Sequence, residues 1–246
     1  YFANVRPMLE SKELINVLGL LRQQIFVEVV SSQFEKALAY HTFGDNETRE
    51  QFSRLAIQLV DNKQLSPDKK ISFITSAAEE LEKEIADYPA DIKARLALGV
   101  LYNRAAVLNP AYIEKAKTHI EEAIRLSPAR QTSHFLLVDN YLARNDFNKA
   151  IEILEKTVAL EPRFIGAQMN LAFIALIGGR QDITENVFQD SIVPLGSGYQ
   201  SIPDAVAVVR VADAYVQRQD FMKALQWYKA VIVMDPENAQ YRANIA

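Results

Sequence analysis

Four prolines constrain this 246-residue chain more than any other feature. Pro89, Pro128, Pro162 and Pro236 each close an amphipathic run, in Asp87-Tyr-Pro89, Leu126-Ser-Pro128, Leu160-Glu-Pro162 and Met234-Asp-Pro236. Their spacings are 39, 34 and 74 residues: a period of 34 with five residues extra, a bare period, and two periods with six extra. A fixed period of this length marks a repeated supersecondary unit, and proline ends a helix because it lacks the amide and clashes with the preceding turn. Side-chain sizes keep the same register. Leu98-Gly99-x-x-Tyr102 recurs as Leu137-Val138-x-x-Tyr141, Leu171-Ala172-x-x-Ala175 and Val211-Ala212-x-x-Tyr215. Further along each unit, Ala116-x3-Ile120-x2-Ala123 recurs as Ala150-x3-Leu154-x2-Thr157, Thr184-x3-Phe188-x2-Ser191 and Ala224-x3-Tyr228-x2-Val231.

These residues resemble the tetratricopeptide repeat, whose Leu-Gly-x2-Tyr, Ala-x3-Phe and Pro pattern falls at those positions. The resemblance implies an all-α fold, a tetratricopeptide-type α-solenoid of stacked helix-turn-helix repeats. The residue types have physical reasons. Small residues at 99, 138, 172 and 212, and at 116, 150, 184 and 224, let the two helices of a unit approach closely, while Tyr102, Tyr141 and Tyr215 fill the gap between units. Each unit exposes an apolar face that only its neighbour can cover. The expected organisation is an irregular helical region over 1–89, four repeats at about 90–128, 129–162, 163–203 and 204–236, and the start of a further one over 237–246. The five extra residues fall at 106–110, between helices, and the six extra at 194–203.

Before Pro89 the register loosens. Ser66 is the expected N-cap of a helix with Pro67 in its first turn, and 47–61 its partner, with Leu55-Ala56-x-x-Leu59 in place of the usual motif. A degenerate pair is expected at Ser11–Gly19 and around Phe34–Tyr40. The chain opens at Tyr1 and stops at Ala246 inside a helical pattern, and is read as a fragment.

Lys plus Arg number 27 against 31 Asp plus Glu, a net charge of −4 with the signs interspersed, which argues against a nucleic-acid partner. No stretch reaches the 18 or so apolar residues of a membrane span. No metal site, cofactor or catalytic residue is expected. His41, His119 and His134 sit in separate elements without a cysteine to complete a ligand set. Gly196-Ser197-Gly198 follows no strand and precedes no Gly-Lys-Ser/Thr, so it reads as a flexible insertion. Glu79, Glu80, Glu82 and Glu84 read as a solvated helix face interleaved with Lys83, and no shielded carboxyl pair is evident. Trp227 reads as core packing in preference to ligand stacking.

Binding is the expected activity. In the family, first helices line a concave face, and its recurring positions here supply Asn103, Arg104, Phe135, Asp139, Met169, Asn170, Phe173, Arg210 and Asp213. These would form an apolar groove with polar anchors for an extended or helical peptide, or else Phe135, Met169 and Phe173 pack under neighbouring helices. The chaperone-tail clamp of some family members needs Lys and Asn at positions held here by Leu96 and Val100, Phe135 and Asp139, and Met169 and Phe173. A clamp for acidic carboxyl-terminal peptides is not expected.

The first fifty or so residues, through Tyr1-Phe-Ala-Asn-Val-Arg-Pro7, Leu14-Ile15, Phe34-Glu-Lys-Ala37-Leu38 and Phe43–Gln51, resemble the segment after the last membrane span of O-antigen ligase and polymerase family proteins. That resemblance implies a non-enzymatic, extracytoplasmic protein-interaction tail, tethered through residues outside this chain to a membrane glycan-transfer enzyme whose catalytic region is absent here. The alternative is a stand-alone cytoplasmic scaffold that oligomerises end to end.

Overall fold

The computed structural model describes residues 2–21, 27–192 and 205–234, all arranged as helices and short connections. In chain order the helices are α1 (Phe2–Leu21), α2 (Val27–Leu38), α3 (Asp45–Val60), α4 (Pro67–Asp87), α5 (Ile92–Ala105) and α6 (Tyr112–Leu126). They continue as α7 (Gln131–Leu142), α8 (Phe147–Leu160), α9 (Ile165–Ile177), α10 (Gln181–Val187), α11 (Ala205–Gln217) and α12 (Phe221–Met234). A π-helical turn, Phe188–Ile192, extends α10. No strand occurs among the described residues. Compactness divides the chain into two units, Tyr1–Leu136 and Leu137–Ala246, and the division falls inside α7.

In the first unit α1 packs on α2, α3 on α4 and α5 on α6. The first helix starts at Phe2 and runs through Pro7, earlier than the expected Ser11. Pro7 is the sixth residue of α1, past the four amides that have no helical partner, so its missing amide removes one backbone hydrogen bond from the first turns. Helix α4 begins as its sequence dictates: Ser66 accepts a hydrogen bond from the Lys69 amide, and Pro67 occupies the first turn. The core joins Phe34 and Phe52, stacked at 4.5 Å, to Phe73, which meets Phe52 edge-on at 5.0 Å. The buried Glu10 carboxylate ties α1 to the start of α3 by accepting from the Thr42 and Thr48 hydroxyls. Lys70 donates to the Val60 carbonyl at 2.8 Å, which places a cation at the C-terminal end of α3.

The small positions do what their size permits. Gly99 lies so close to α6 that a Cβ there would fall 2.6 Å from Ile120 Cγ1. In the second unit Thr184 Oγ1 donates to the Ala172 carbonyl at 3.0 Å, joining the two small positions of one hairpin directly. The large positions reach back one repeat. Buried Tyr102 donates to Glu82 on α4 at 3.0 Å, and buried Tyr215 to Glu185 on α10 at 3.5 Å.

Two recurring devices lie outside the register read from sequence. The carbonyl of each repeat-closing proline in the described residues accepts from the side chain six residues on: Arg95 to Pro89, His134 to Pro128 at 2.7 Å, and Gln168 to Pro162 at 2.6 Å. Three side chains of different type perform one task, orienting the next first helix on the loop that precedes it. In the second unit the tight turns after α7, α9 and α11 are closed by the Asp146 amide on Tyr141, Arg180 on Ala175 and Asp220 on Tyr215, at 2.8–3.0 Å. This six-to-one closure needs a left-handed residue, supplied by Asn145, Gly179 and Gln219 with φ of 58°, 83° and 62°. The expected insertion at 194–203, with Gly196-Ser197-Gly198, and the expected helix over 238–245 lie outside the described residues.

Candidate functional site

A cavity of about 500 Å³ opens between the first helices α3 and α5 of the first unit, with α4 beneath it. Ile57 on α3 and Ala97 and Val100 on α5 form apolar walls, Leu81 and Glu84 on α4 form the floor, and Asp91 stands at the rim as the N-cap of α5. Asp91 Oδ1 accepts the Ala94 amide at 3.0 Å, which fixes the carboxyl where it faces Glu84. Above them Glu50 is engaged by both Lys93 and Arg54, and these cations hold its carboxyl below the ordinary carboxylate range.

Glu84 is 4% exposed, which corrects the expectation of a solvated face for the run Glu79–Glu84. Glu79 and Glu82 do face solvent, and Glu80 pairs with Lys83 at 2.5 Å and with Arg49 at 3.7 Å. Glu84 instead continues the buried stripe Phe73, Ala77, Leu81 at helical spacing, and that stripe was the available sequence signal. Burial, then the neighbouring Asp91 charge, push the Glu84 carboxyl up to about 7, with Arg49 and Lys93 opposing. Glu84 and Asp91 are thus a shielded carboxyl pair that the sequence did not reveal.

The expected groove residues separate into distinct environments. In the first unit, Asn103 donates to the Leu136 carbonyl at 3.0 Å, Arg104 pairs with Asp61 across the exposed ends of α5 and α3, and Phe135 is half-buried. In the second unit, Asp139 is exposed on α7, and Asn170, Phe173 and Arg210 converge. The Arg210 guanidinium lies 4.4 Å from the Phe173 ring centroid and donates to Asn170 Oδ1 at 2.6 Å, bridging α9 and α11. Asp213 accepts from the Tyr228 hydroxyl of α12. Of the two readings open for Met169, packing holds: it is fully buried and offers a ligand nothing, because it falls on the face of α9 that packs into the unit. Leu96, read at the equivalent position of its own helix, is likewise buried.

The remaining candidates have structural partners. His134 Nε2 must carry the proton it shares with the Pro128 carbonyl, which can only accept. The His119 ring stacks on Tyr102 at 6.0 Å, and burial pushes it below the ordinary histidine value. Trp227 is buried, its ring 4.9 Å from that of Phe188. Among the described residues no three His, Asp or Glu side chains converge as a metal-ligand set, and no helix is long and apolar enough to cross a membrane.

No protein-family model and no curated protein matches the sequence. Solved structures do. A tetratricopeptide repeat protein of Parabacteroides merdae aligns over 94% of this chain and 81% of its own, at 14% identity and a TM-score of 0.53. Pseudomonas aeruginosa pilF aligns over 97% of both chains at 16% identity and TM-score 0.49, and a thermophilic tetratricopeptide protein of Thermus thermophilus over 80% and 96%, at 15% and 0.46. At these identities the likeness is one of fold. The chain has a tetratricopeptide-type α-solenoid fold.

Proposed function

We propose that this chain is a protein-interaction scaffold that holds a partner segment against the face of its first helices. The observation that carries the reading is the cavity between α3 and α5, whose walls are apolar while Glu84 and Asp91 add a charged floor and rim. Recognition sites commonly combine an apolar lining with a few placed polar groups in this way. In the second unit, Asn170, Phe173 and Arg210 supply a polar-aromatic patch on the same class of helix, suited to register more than to affinity.

Panning a random peptide library over the whole chain tests this. Enriched peptides are expected to lose about tenfold or more in affinity, roughly 1.4 kcal/mol, when Ala97→Arg fills the cavity, with far-UV circular dichroism unchanged. Absence of enriched peptides, or peptides indifferent to Ala97→Arg and to Phe173→Ala, would overturn the reading.

We further propose an extracytoplasmic setting, as the tail of a membrane glycan ligase or polymerase. Its support is the resemblance carried by the first fifty residues. The chain has no cysteine, so Val107→Cys, in the exposed loop between α5 and α6, gives these 246 residues one thiol, read against the unsubstituted protein as control. Labelling by a membrane-impermeant maleimide is expected in spheroplasts of the native host; labelling only after lysis would refute this setting.

A further inference from the structure

The α3/α5 cavity combines an apolar channel with two carboxyls that make no ion pair. Two of the cations nearby are committed elsewhere, since Lys93 and Arg54 both grip Glu50; Arg49 lies 3.7 Å from Glu80, its buried Nε in no hydrogen bond. Glu84 and Asp91 line the same cavity, and two neighbouring carboxyls are eased when one of them is protonated. The arrangement therefore has room and charge for one more cation.

We propose that this cavity is a socket for a lysine side chain of the partner segment, the ammonium lodging between Glu84 and Asp91 and the alkyl stem lying along Ile57, Ala97 and Val100. The inference rests on the scaffold reading above and names the chemistry that reading selects. Lysine suits the site because its four-carbon stem packs on apolar surface while its compact ammonium can donate to two carboxyls at once. The second unit's patch offers the reverse chemistry, since Arg210 and Asn170 already satisfy each other.

Binding displaces the Glu84 proton. The protonated Glu84 releases it to solvent as the ammonium arrives, so one cation replaces another and the local charge is conserved. Affinity is therefore tied to pH. The charged groups acting on Glu84 are Asp91 and Lys93 at α5 and Arg49 from α3; Glu50 and Arg54 of α3 line the same cavity, Glu80 lies one turn earlier on α4, and the charged Glu35 and Lys36 of α2, which also packs on α4, face solvent. Of these groups, Glu84 is the one poised to exchange a proton near neutrality.

The probe is a capped Gly-Gly-Lys-Gly-Gly pentapeptide, titrated into the whole 15N-labelled chain at pH 6 and pH 8, with the norleucine peptide as control. The lysine peptide is expected to shift amide resonances of residues 50–57, 84 and 91–100, and to bind about tenfold more tightly at pH 8 than at pH 6. Norleucine, which keeps the stem and lacks the charge, is expected to bind at least about tenfold more weakly at pH 8. Glu84→Gln is nearly isosteric; it should abolish the pH dependence and most of the affinity while leaving the spectrum's dispersion intact. Equal binding of the two peptides, undiminished binding to Glu84→Gln, or no shifts around the cavity would overturn the socket. If library peptides without lysine bind at the same face, the socket fails and the scaffold reading stands; if no peptide binds that face, both fall.

Discussion

At the scale of single residues, the fold depends on a few side chains too small to notice. Gly99 sits mid-helix in α5, where alanine is intrinsically favoured over glycine by about 1 kcal/mol. Its Cβ, however, would meet Ile120 Cγ1 at 2.6 Å, and Ile120 is fully buried and β-branched, hence stiff at χ1. Over-packing a core costs about 1–3 kcal/mol, so the steric effect wins over the propensity. Gly99→Ala is expected to destabilise the chain by about 1–2 kcal/mol in urea denaturation. Pairing it with Ile120→Ala, which removes the offending atom, should give a total loss smaller than the sum of the two single changes. An additive result, or a stabilised Gly99→Ala, would mean that α5 and α6 are not held at the observed separation. The same scale explains why Met169 stays open between groove and core in the sequence: its hydrophobicity is compatible with either, and only the packing of α9 decides.

Between helices, the closing turns of the second unit carry a local conflict. Asn145 and Gly179 tolerate the left-handed conformation at φ 58° and 83°, the first through its short polar side chain and the second through having none. Gln219 adopts φ 62° with neither advantage. It is held there by the Asp220 amide bond to Tyr215 and by the Asp220 side chain, which accepts the Lys223 amide at 3.2 Å and caps α12. Gln219→Gly should therefore stabilise the chain by about 0.5–1 kcal/mol, the relief of left-handed strain exceeding the entropy that glycine adds to the unfolded state. Thermal unfolding reads this directly. A lower melting temperature for Gln219→Gly would show that the Gln219 side chain makes a contribution larger than the strain it carries. In the first unit the five-residue insertion at 106–110 replaces such a turn, and Ala106 stays right-handed because the longer loop reverses the chain gradually.

For the molecule as a whole, the architecture was legible because repetition multiplies weak signals: Gly99, Ala172 and Ala212 mean little singly and much in register. The site was less legible. Asn170, Phe173 and Arg210 were found because the register places them on one helix class, yet their mutual engagement depends on the approach of α9 and α11. Glu84 was missed because a glutamate in the run 79–84 looks solvated until α3 and α5 close over it. That burial has a global consequence. An ordinary glutamate titrates near 4.5, and in the folded chain Glu84 does so at about 7, so the folded state holds the proton more tightly than the unfolded one. The group's contribution to stability is fully present below the ordinary value and is lost as pH rises toward about 7, by about 2–3 kcal/mol. Glu50, lowered by its cations, acts in the opposite sense at lower pH, so the raw profile mixes the two. The difference between wild type and Glu84→Gln isolates the first. Relative to wild type, Glu84→Gln should gain stability as pH is raised from 5 to 8, because glutamine avoids placing a second charge beside Asp91. A difference that is flat across that interval, measured by urea denaturation at each pH, would mean that Glu84 is as well solvated as its neighbours Glu79 and Glu82.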